Sequence, residues 1–206
     1  MIISVSGLIN SGKDTVAAHL VEKYGFTKLS FAGHLKDALS CIFGWDRVLL
    51  DGTTAESRKW RDQVDPWWSE RLNIPNLTPR WMMQNFGTNL CRNHFHDEIW
   101  IASLENKIRQ LNTHIVVTDA RFQNEIAAMN SAGAVLIRVK RGPDPEWFEM
   151  AKTVEGRKTL LLRPDIHPSE YDWASSPFDM VINNESTLSA LHQEVDKMMS
   201  LFVAPR

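Results

Sequence analysis

The stretch Gly7-Leu8-Ile9-Asn10-Ser11-Gly12-Lys13-Asp14-Thr15 constrains this chain more than any other, because it follows the short apolar run Ile2–Ser6 and opens a segment of helical pattern. Glycines in such a loop reach backbone angles closed to other residues. Successive N–H groups can then converge on phosphate oxygens while the helix N-terminus adds partial positive charge. The two glycines and the lysine have the Walker A spacing, in which the lysine, here Lys13, reaches the β- and γ-phosphates of a nucleoside triphosphate. Asn10, Ser11, Gly12, Lys13, Asp14 and Thr15 are therefore expected to hold the phosphates of a donor such as ATP, with Mg2+ beside them. One position departs from the consensus: Asp14 stands where Ser or Thr ordinarily ligates the metal, and Thr15 follows it. A carboxylate beside a triphosphate is repelled unless a cation lies between them. Asp14 either approaches the metal or serves the first helical turn through the macrodipole, and both readings stay open.

Runs rich in β-branched residues at 2–6, 27–31, 115–118, 135–139 and 180–182 alternate with helical patterns at 13–24, 35–43, 80–92, 98–111, 124–132 and 187–201. That alternation predicts an α/β fold, a P-loop three-layer α/β/α arrangement with a parallel five-stranded sheet. The last helix carries Leu188, Leu191, Val195, Met198 and Met199 as a core stripe. Two regions break the rhythm. Residues 44–79 are dense in tryptophan (Trp45, Trp60, Trp67, Trp68), and residues 141–177 combine Pro143, Pro145, Pro164, Pro168 and Pro177 with Arg141, Arg157, Lys158 and Arg163. Both read as excursions from one domain spanning 1–206, whose core is 1–43, 80–140 and 178–206, and such excursions are more often lids or binding segments than idle loops.

A second signal is Ile115-Val116-Val117-Thr118-Asp119, an apolar strand ending in a carboxylate, as in the Walker B arrangement that faces magnesium; Asp119 could equally cap the helix that follows. The metal ligands expected from these two motifs are Asp14, Thr15 and Asp119. With 206 residues, 43% hydrophobic and 23% charged, the chain can bury a core without disulfides or structural metals. A net charge of −2 gives no field for gripping nucleic acid, and no apolar run reaches the ~18 residues of a membrane span. Cys41 and Cys91, without a CxxC pair, read as reduced core thiols in the cytoplasm. His94-Phe95-His96-Asp97 does not place its side chains on one helical face and is not expected to bind a metal. The GTPase base-recognition pattern is absent, because Asn106-Lys107-Ile108-Arg109 lacks its acid. A small P-loop chain with one excursion after the second strand and one basic excursion fits a kinase whose acceptor is itself phosphorylated, since two anions must be brought in line.

Further pieces run in order along nearly the whole chain: Ala32-Gly33 with Leu35-Lys36-Asp37-Ala38-Leu39, Met83-Gln84 with Phe86-Gly87-Thr88 and Leu90, Asn93 with Phe95 and Trp100, Thr118-Asp119 with Arg121 and Glu125, Gly133-Ala134, and His167 with Ser169-Glu170. Together with the Gly-Lys-Asp-Thr variant of the loop, they resemble the deoxynucleoside monophosphate kinases of tailed phages, T-even type. The resemblance implies a nucleoside-monophosphate-kinase-like fold with an acceptor-side insertion at 44–79 and a lid at 141–177. It also implies ATP-dependent phosphorylation of a deoxynucleoside monophosphate to its diphosphate. By position it puts Lys36, Arg80, Gln84, Gly87, Trp100, Asp119, Arg121 and Glu125 toward the acceptor. Lys13, Arg121 and one lid arginine, Arg141 standing for a choice that Arg157 and Arg163 share, are the expected catalytic cations, and Asn184 borders the adenine or turns the chain into its last helix. Arg80 and Gln84 share a helical face, Trp100 stacks on a base or packs in a core, and Phe31, Trp81 and Trp100 are candidates for a wall excluding a 2′-hydroxyl. The partner expected is a small-molecule deoxynucleotide in the cytoplasm, that of the host if the chain is phage-encoded, with a homodimer left open and neither nucleic acid nor membrane involved. Two alternatives stay in view: another small-molecule P-loop kinase such as a dephospho-coenzyme A kinase, and a nucleotide-binding regulatory protein without turnover.

Overall fold

A computed structural model describes residues 1–163 and 165–202; Pro164, one of the prolines of the 141–177 excursion, and residues 203–206 lie outside the described residues. The chain gathers into two compact units, Met1–Ser30 with Ile108–Arg206, and Phe31–Lys107. The excursion at 141–177 falls within the first and that at 44–79 within the second.

The first unit holds a five-stranded sheet formed by β1 (Ile2–Ser6), β2 (Thr27–Leu29), β3 (Ile115–Val117), β4 (Val135–Lys140) and β5 (Met180–Asn183), in the order β2-β3-β1-β4-β5. Every pairing is parallel, and β1 sits centrally, with Ile3 opposite Val116 on one side and Val135 on the other. The strand order therefore reverses at β1, the place where open α/β sheets bind ligands beyond their carboxyl ends. α1 (Lys13–Tyr24) leaves that edge and ends at Gly25 in the left-handed region. Val16, Ala17 and Leu20 of α1 pack with Ile3, Val5, Val116, Ile137, Val139 and Ile182 of the sheet. The final helix of the chain, Leu188–Phe202, adds Leu191, Val195, Met198 and Met199 to that core. Leu188, expected in the same stripe, stands at the helix start and is exposed.

Other helices of this unit lie against β4 or beyond it. The helix Gln123–Ser131 buries Ile126 and Met129 and packs on β4. The excursion at 141–177 contains short helices at Trp147–Ala151, Val154–Leu160 and Pro168–Tyr171 and a 3-10 turn at Asp172–Ser175, which bury Phe148, Leu160, Tyr171 and Trp173. Arg138 of β4 lies over the rings of Phe148 (4.2 Å) and Trp173 (5.5 Å) and pairs with Asp144. Helices of four to seven residues show too little periodicity to be read from sequence.

The second unit is helical. α2 (Gly33–Phe43) is followed by α3 (Arg47–Asp51), α4 (Ala55–Arg61), α5 (Pro66–Leu72) and α6 (Pro79–Gln84), and α7 (Ile99–Arg109) begins within it. Each short helix starts on a side chain that accepts a backbone N–H: Asp46 from Val48, Thr54 from Ser57, Asp65 from Trp68 and Thr78 from Trp81. Leu35, Leu39, Trp45, Leu50, Leu77, Met82 and Trp100 form the core. Trp45 donates its indole N–H to Asp65 (2.8 Å) and Trp68 donates to the Phe43 carbonyl (3.0 Å), whereas Trp67 is exposed. The single helix expected over 80–92 ends as α6 at Gln84 and continues as a π-helical stretch, Asn85–Phe95. Cys41, expected as core filler, is exposed, and Cys91 is half-buried; both are free thiols.

Candidate active site

The loop leaving β1 is shaped by residues that must lack a side chain or tolerate positive φ. At Gly7 (φ 150°) an added Cβ would stand 2.3 Å from the Val139 carbonyl oxygen. Asn10 (φ 62°) and Gly12 (φ 108°) occupy the left-handed half of the map, and the Ser11 N–H closes the turn on the Leu8 carbonyl at 3.2 Å. Ser11 is buried, and its hydroxyl has no hydrogen-bond partner. An added Cβ at Gly12 would lie 2.5 Å from Nδ2 of Asn184, which donates to the Ser11 carbonyl at 2.9 Å. Asn184 follows β5 directly, and its own N–H donates to Lys140. Its side-chain amide is a strap on the loop, a use that neither sequence alternative for this residue foresaw. Beside it, Arg141, Gly142, Asn184, Glu185 and Ser186 line an open cavity of about 360 Å³.

Lys13 curls back over the loop that precedes it, donating from Nζ to the carbonyls of Gly7 (2.8 Å) and Leu8 (2.7 Å). Burial first, and then the positive charge of Arg121, lower its pKa from 10.5 to about 8, while Glu170 and Asp14 oppose the shift. Arg121 in turn has an Nη1 atom 3.5 Å from a Glu170 carboxylate oxygen. Asp14 is exposed and ion-paired with Lys28 of β2 at 2.6 Å. Asp119 follows β3 and accepts a 2.6 Å hydrogen bond from Ser30, and the next residue, Ala120, accepts one from the Ser6 hydroxyl at 3.2 Å. The first contact ties the Asp119 turn to the end of β2, and the second ties it to the end of β1, where the loop begins. The first unit thus assembles Asn10 to Thr15, Asp119, Arg121 and Asn184 at one sheet edge.

Glu125 belongs to the same unit. It is buried, and one carboxylate oxygen accepts the N–H groups of Arg121 (2.9 Å) and Phe122 (3.3 Å) at the start of the helix Gln123–Ser131. That oxygen caps a helix and fixes the backbone that carries Arg121, itself in the expected acceptor set.

The remaining acceptor candidates lie in the second unit. Lys36 donates to Asp51 at 3.0 Å, and Arg47 pairs with the same carboxylate at 2.7 Å. Arg80 is ion-paired with Asp62, and Gln84 stands one turn further along α6. Gly87 and Trp100 meet each other. The Trp100 indole donates to the Gly87 carbonyl at 2.9 Å, Trp100 is only 8% exposed, and an added Cβ at Gly87 would come within 2.9 Å of Leu35. Of the three wall candidates, Phe31 and Trp100 are buried, and only Trp81 is open to solvent. Sequence reading missed Lys28, Asp51 and Asp62 as partners of Asp14, Lys36 and Arg80, since nothing in their spacing announces contacts made by the folded chain.

A central parallel strand, a glycine-bounded loop over a helix N-terminus and a neighbouring strand followed closely by an aspartate define the class, a P-loop α/β phosphotransferase. The family model for deoxynucleotide monophosphate kinase matches residues 68–195, more than half of the chain, and the chain belongs to that family. It is therefore a kinase that phosphorylates deoxynucleoside monophosphates. A curated protein of Acanthamoeba polyphaga mimivirus named for the same activity is 27% identical over 212 residues, covering 95% of this chain and 94% of its own. The deoxynucleotide monophosphate kinase of Enterobacteria phage T4 is 24% identical over 255 residues, covering 97% and 99%. Among solved structures, the shikimate kinase of Aquifex aeolicus aligns over 100% of both chains at 12% identity, with a TM-score of 0.47. No described helix is long and apolar enough to cross a membrane.

Proposed function

We propose that the phosphoryl donor is ATP with magnesium, and that 1–206 acts as one kinase domain in which 44–79 serves the acceptor and 141–177 serves as a lid. The observation that carries this reading is the loop at Gly7–Thr15, whose turn leaves the Ser11 hydroxyl buried without a partner and holds Lys13 against carbonyls that phosphate oxygens can replace. A polyphosphate fits such a cradle, and an adenosine beyond it meets the cavity lined by Arg141 and Asn184. Oxygen donors suit magnesium: Thr15 and Asp119 hold the ion, while Asp14, engaged with Lys28, serves the first turn of α1 and bears on the metal only if that pair opens. The ion would neutralise charge on the β- and γ-phosphates.

Transfer then depends on positioning and charge. An oxygen of the acceptor's 5′-phosphate attacks the γ-phosphorus, the bond from that phosphorus to the β–γ bridging oxygen breaks, and ADP leaves with the electron pair. Lys13 bridges the β- and γ-phosphates, Arg121 and Arg141 meet the charge of the moving phosphoryl group, and Asn184 keeps the loop in register. Lys36, Arg80 and Gln84 hold the acceptor. An ADP-release assay coupled to a colour reaction, with ATP and each deoxynucleoside monophosphate in turn, tests the reading. Turnover that requires magnesium and favours a deoxynucleotide over its ribose counterpart is expected, and ATP consumption indifferent to any nucleotide acceptor would refute it.

A further inference from the structure

Around the C-terminal end of α3, the second unit collects more guanidinium than carboxylate. Arg80 already holds Asp62, and Asp51 is shared by Lys36 and Arg47. Arg58 donates to the carbonyls of Gly52 and Thr53. Arg61, the last residue of α4, is left over: its Nε is buried with no hydrogen-bond acceptor. Burial and, next, the nearby Arg80 charge hold the Arg61 pKa below its ordinary value, while Asp62 and Asp51 oppose the shift.

What seats Arg61 is a missing side chain. Gly52 caps α3 at φ 64°, and a Cβ built there would stand 2.1 Å from both Cζ and Nη2 of Arg61. The guanidinium lies flat on bare backbone in a place that any other residue would fill. A planar fork whose Nε lacks an acceptor among the described residues, beside a second arginine held by a single carboxylate, matches a phosphate monoester, a dianion with three oxygens to share.

We propose that Arg61 is a second guanidinium of the acceptor-phosphate clamp, working beside Arg80 and seated by Gly52. This rests on the kinase reading above. In the free protein Asp62 occupies Arg80, and the incoming phosphate takes Arg61 first and then competes with Asp62 for Arg80. Arg61 and Asp62 are adjacent in sequence and Asp62 already touches Arg80, so the exchange needs only side-chain rotation.

The test uses the full chain with ATP and dAMP, dGMP, dCMP or dTMP as acceptor, in parallel with equilibrium binding of each monophosphate without ATP. Arg61→Ala should raise the acceptor KM about 10- to 100-fold, the range for one hydrogen bond to a charged group, with the ATP KM unchanged. Arg61→Lys should recover part of the loss, since it restores charge without the fork. Gly52→Ala should shift the acceptor KM in the same direction by displacing the guanidinium, and it carries the test if Arg61→Ala does not fold. Acceptor KM and affinity within twofold of the parent in Arg61→Ala, whether or not the melting temperature falls, would overturn the proposal and leave Arg61 as a support of α3. If the parent chain phosphorylates none of the four, the kinase reading fails on its own. The binding arm still decides whether Arg61 recognises a nucleoside monophosphate.

Discussion

Raising the pH from 7.5 to 9 should weaken donor binding through Lys13 alone. The free protein holds this lysine at a pKa of about 8, chiefly by burial and secondarily through Arg121. Phosphates favour the ammonium form, so the donor binds the protonated fraction and the apparent affinity scales with that fraction. The fraction falls from about three quarters at pH 7.5 to about one tenth at pH 9, so the dissociation constant for a non-hydrolysable ATP analogue should rise about eightfold. The phosphates of the analogue are already ionised above pH 7.5 and contribute little to the change. At pH 8, binding should also take up about half a proton, which titration calorimetry reads by repeating the measurement in buffers of different ionisation enthalpy. Lys13→Met should bind weakly and without this slope. The sign for stability runs the other way: without donor the unfolded chain holds the proton more tightly than the folded one, so folding becomes more favourable as pH rises from about 8 toward 10.5. An affinity flat between pH 7.5 and 9, or binding with no proton uptake at pH 8, would refute the reasoning.

Charges around Lys13 should move that break in predictable directions. Glu170→Gln removes a charge that favours the ammonium and should bring the break to lower pH, whereas Arg121→Ala should move it higher, both read by the same titration. Asn184→Ala frees the Ser11 carbonyl and should raise the ATP KM about two- to tenfold, the worth of one neutral hydrogen bond, while the acceptor KM stays put in steady-state kinetics. Glu125→Ala should cost about 0.5–2 kcal/mol in chemical denaturation through the lost helix cap, and unaltered stability would refute that role. Gly87→Ala should cost about 1–3 kcal/mol by pushing on Leu35, again measured by denaturation.

The sheet and its loop were legible because each depends on contiguous residues. The strand 2–6 and the helix 13–24 stand where the β-branched run and the helical pattern put them, and the glycines of the loop state their own geometry. The helices of 44–79 were not foreseen as elements, although Asp65-Pro66 and Thr78-Pro79 are readable starts; five to seven residues give a cap but no periodic face. Site residues divide in the same way. Asn10 to Thr15 follow from one stretch of chain. The strap from Asn184, the Asp14 pair with Lys28 and the Arg121 pair with Glu170 join residues whose separation carries no signal until the sheet is built. The cap that Glu125 provides was not legible, because a capping carboxylate and a binding carboxylate look identical in sequence.

The Asn184 strap has a consequence for biogenesis. The loop is made of residues 7–15, yet the side chain that holds its Ser11 carbonyl emerges at the end of β5, long after the loop has left the ribosome. Until β4 and β5 have added to the sheet, the loop has its glycines but no brace, and closing so distant a contact is among the slower events of folding. Nascent chains ending before residue 184 should therefore present the motif without a set phosphate site, which spares the cell a half-made protein that sequesters nucleotide. Donor binding acquires its full strength only once residue 184 has been made and β5 has joined the sheet, so the nucleotide becomes a stabilising ligand for chains folded past that point in particular.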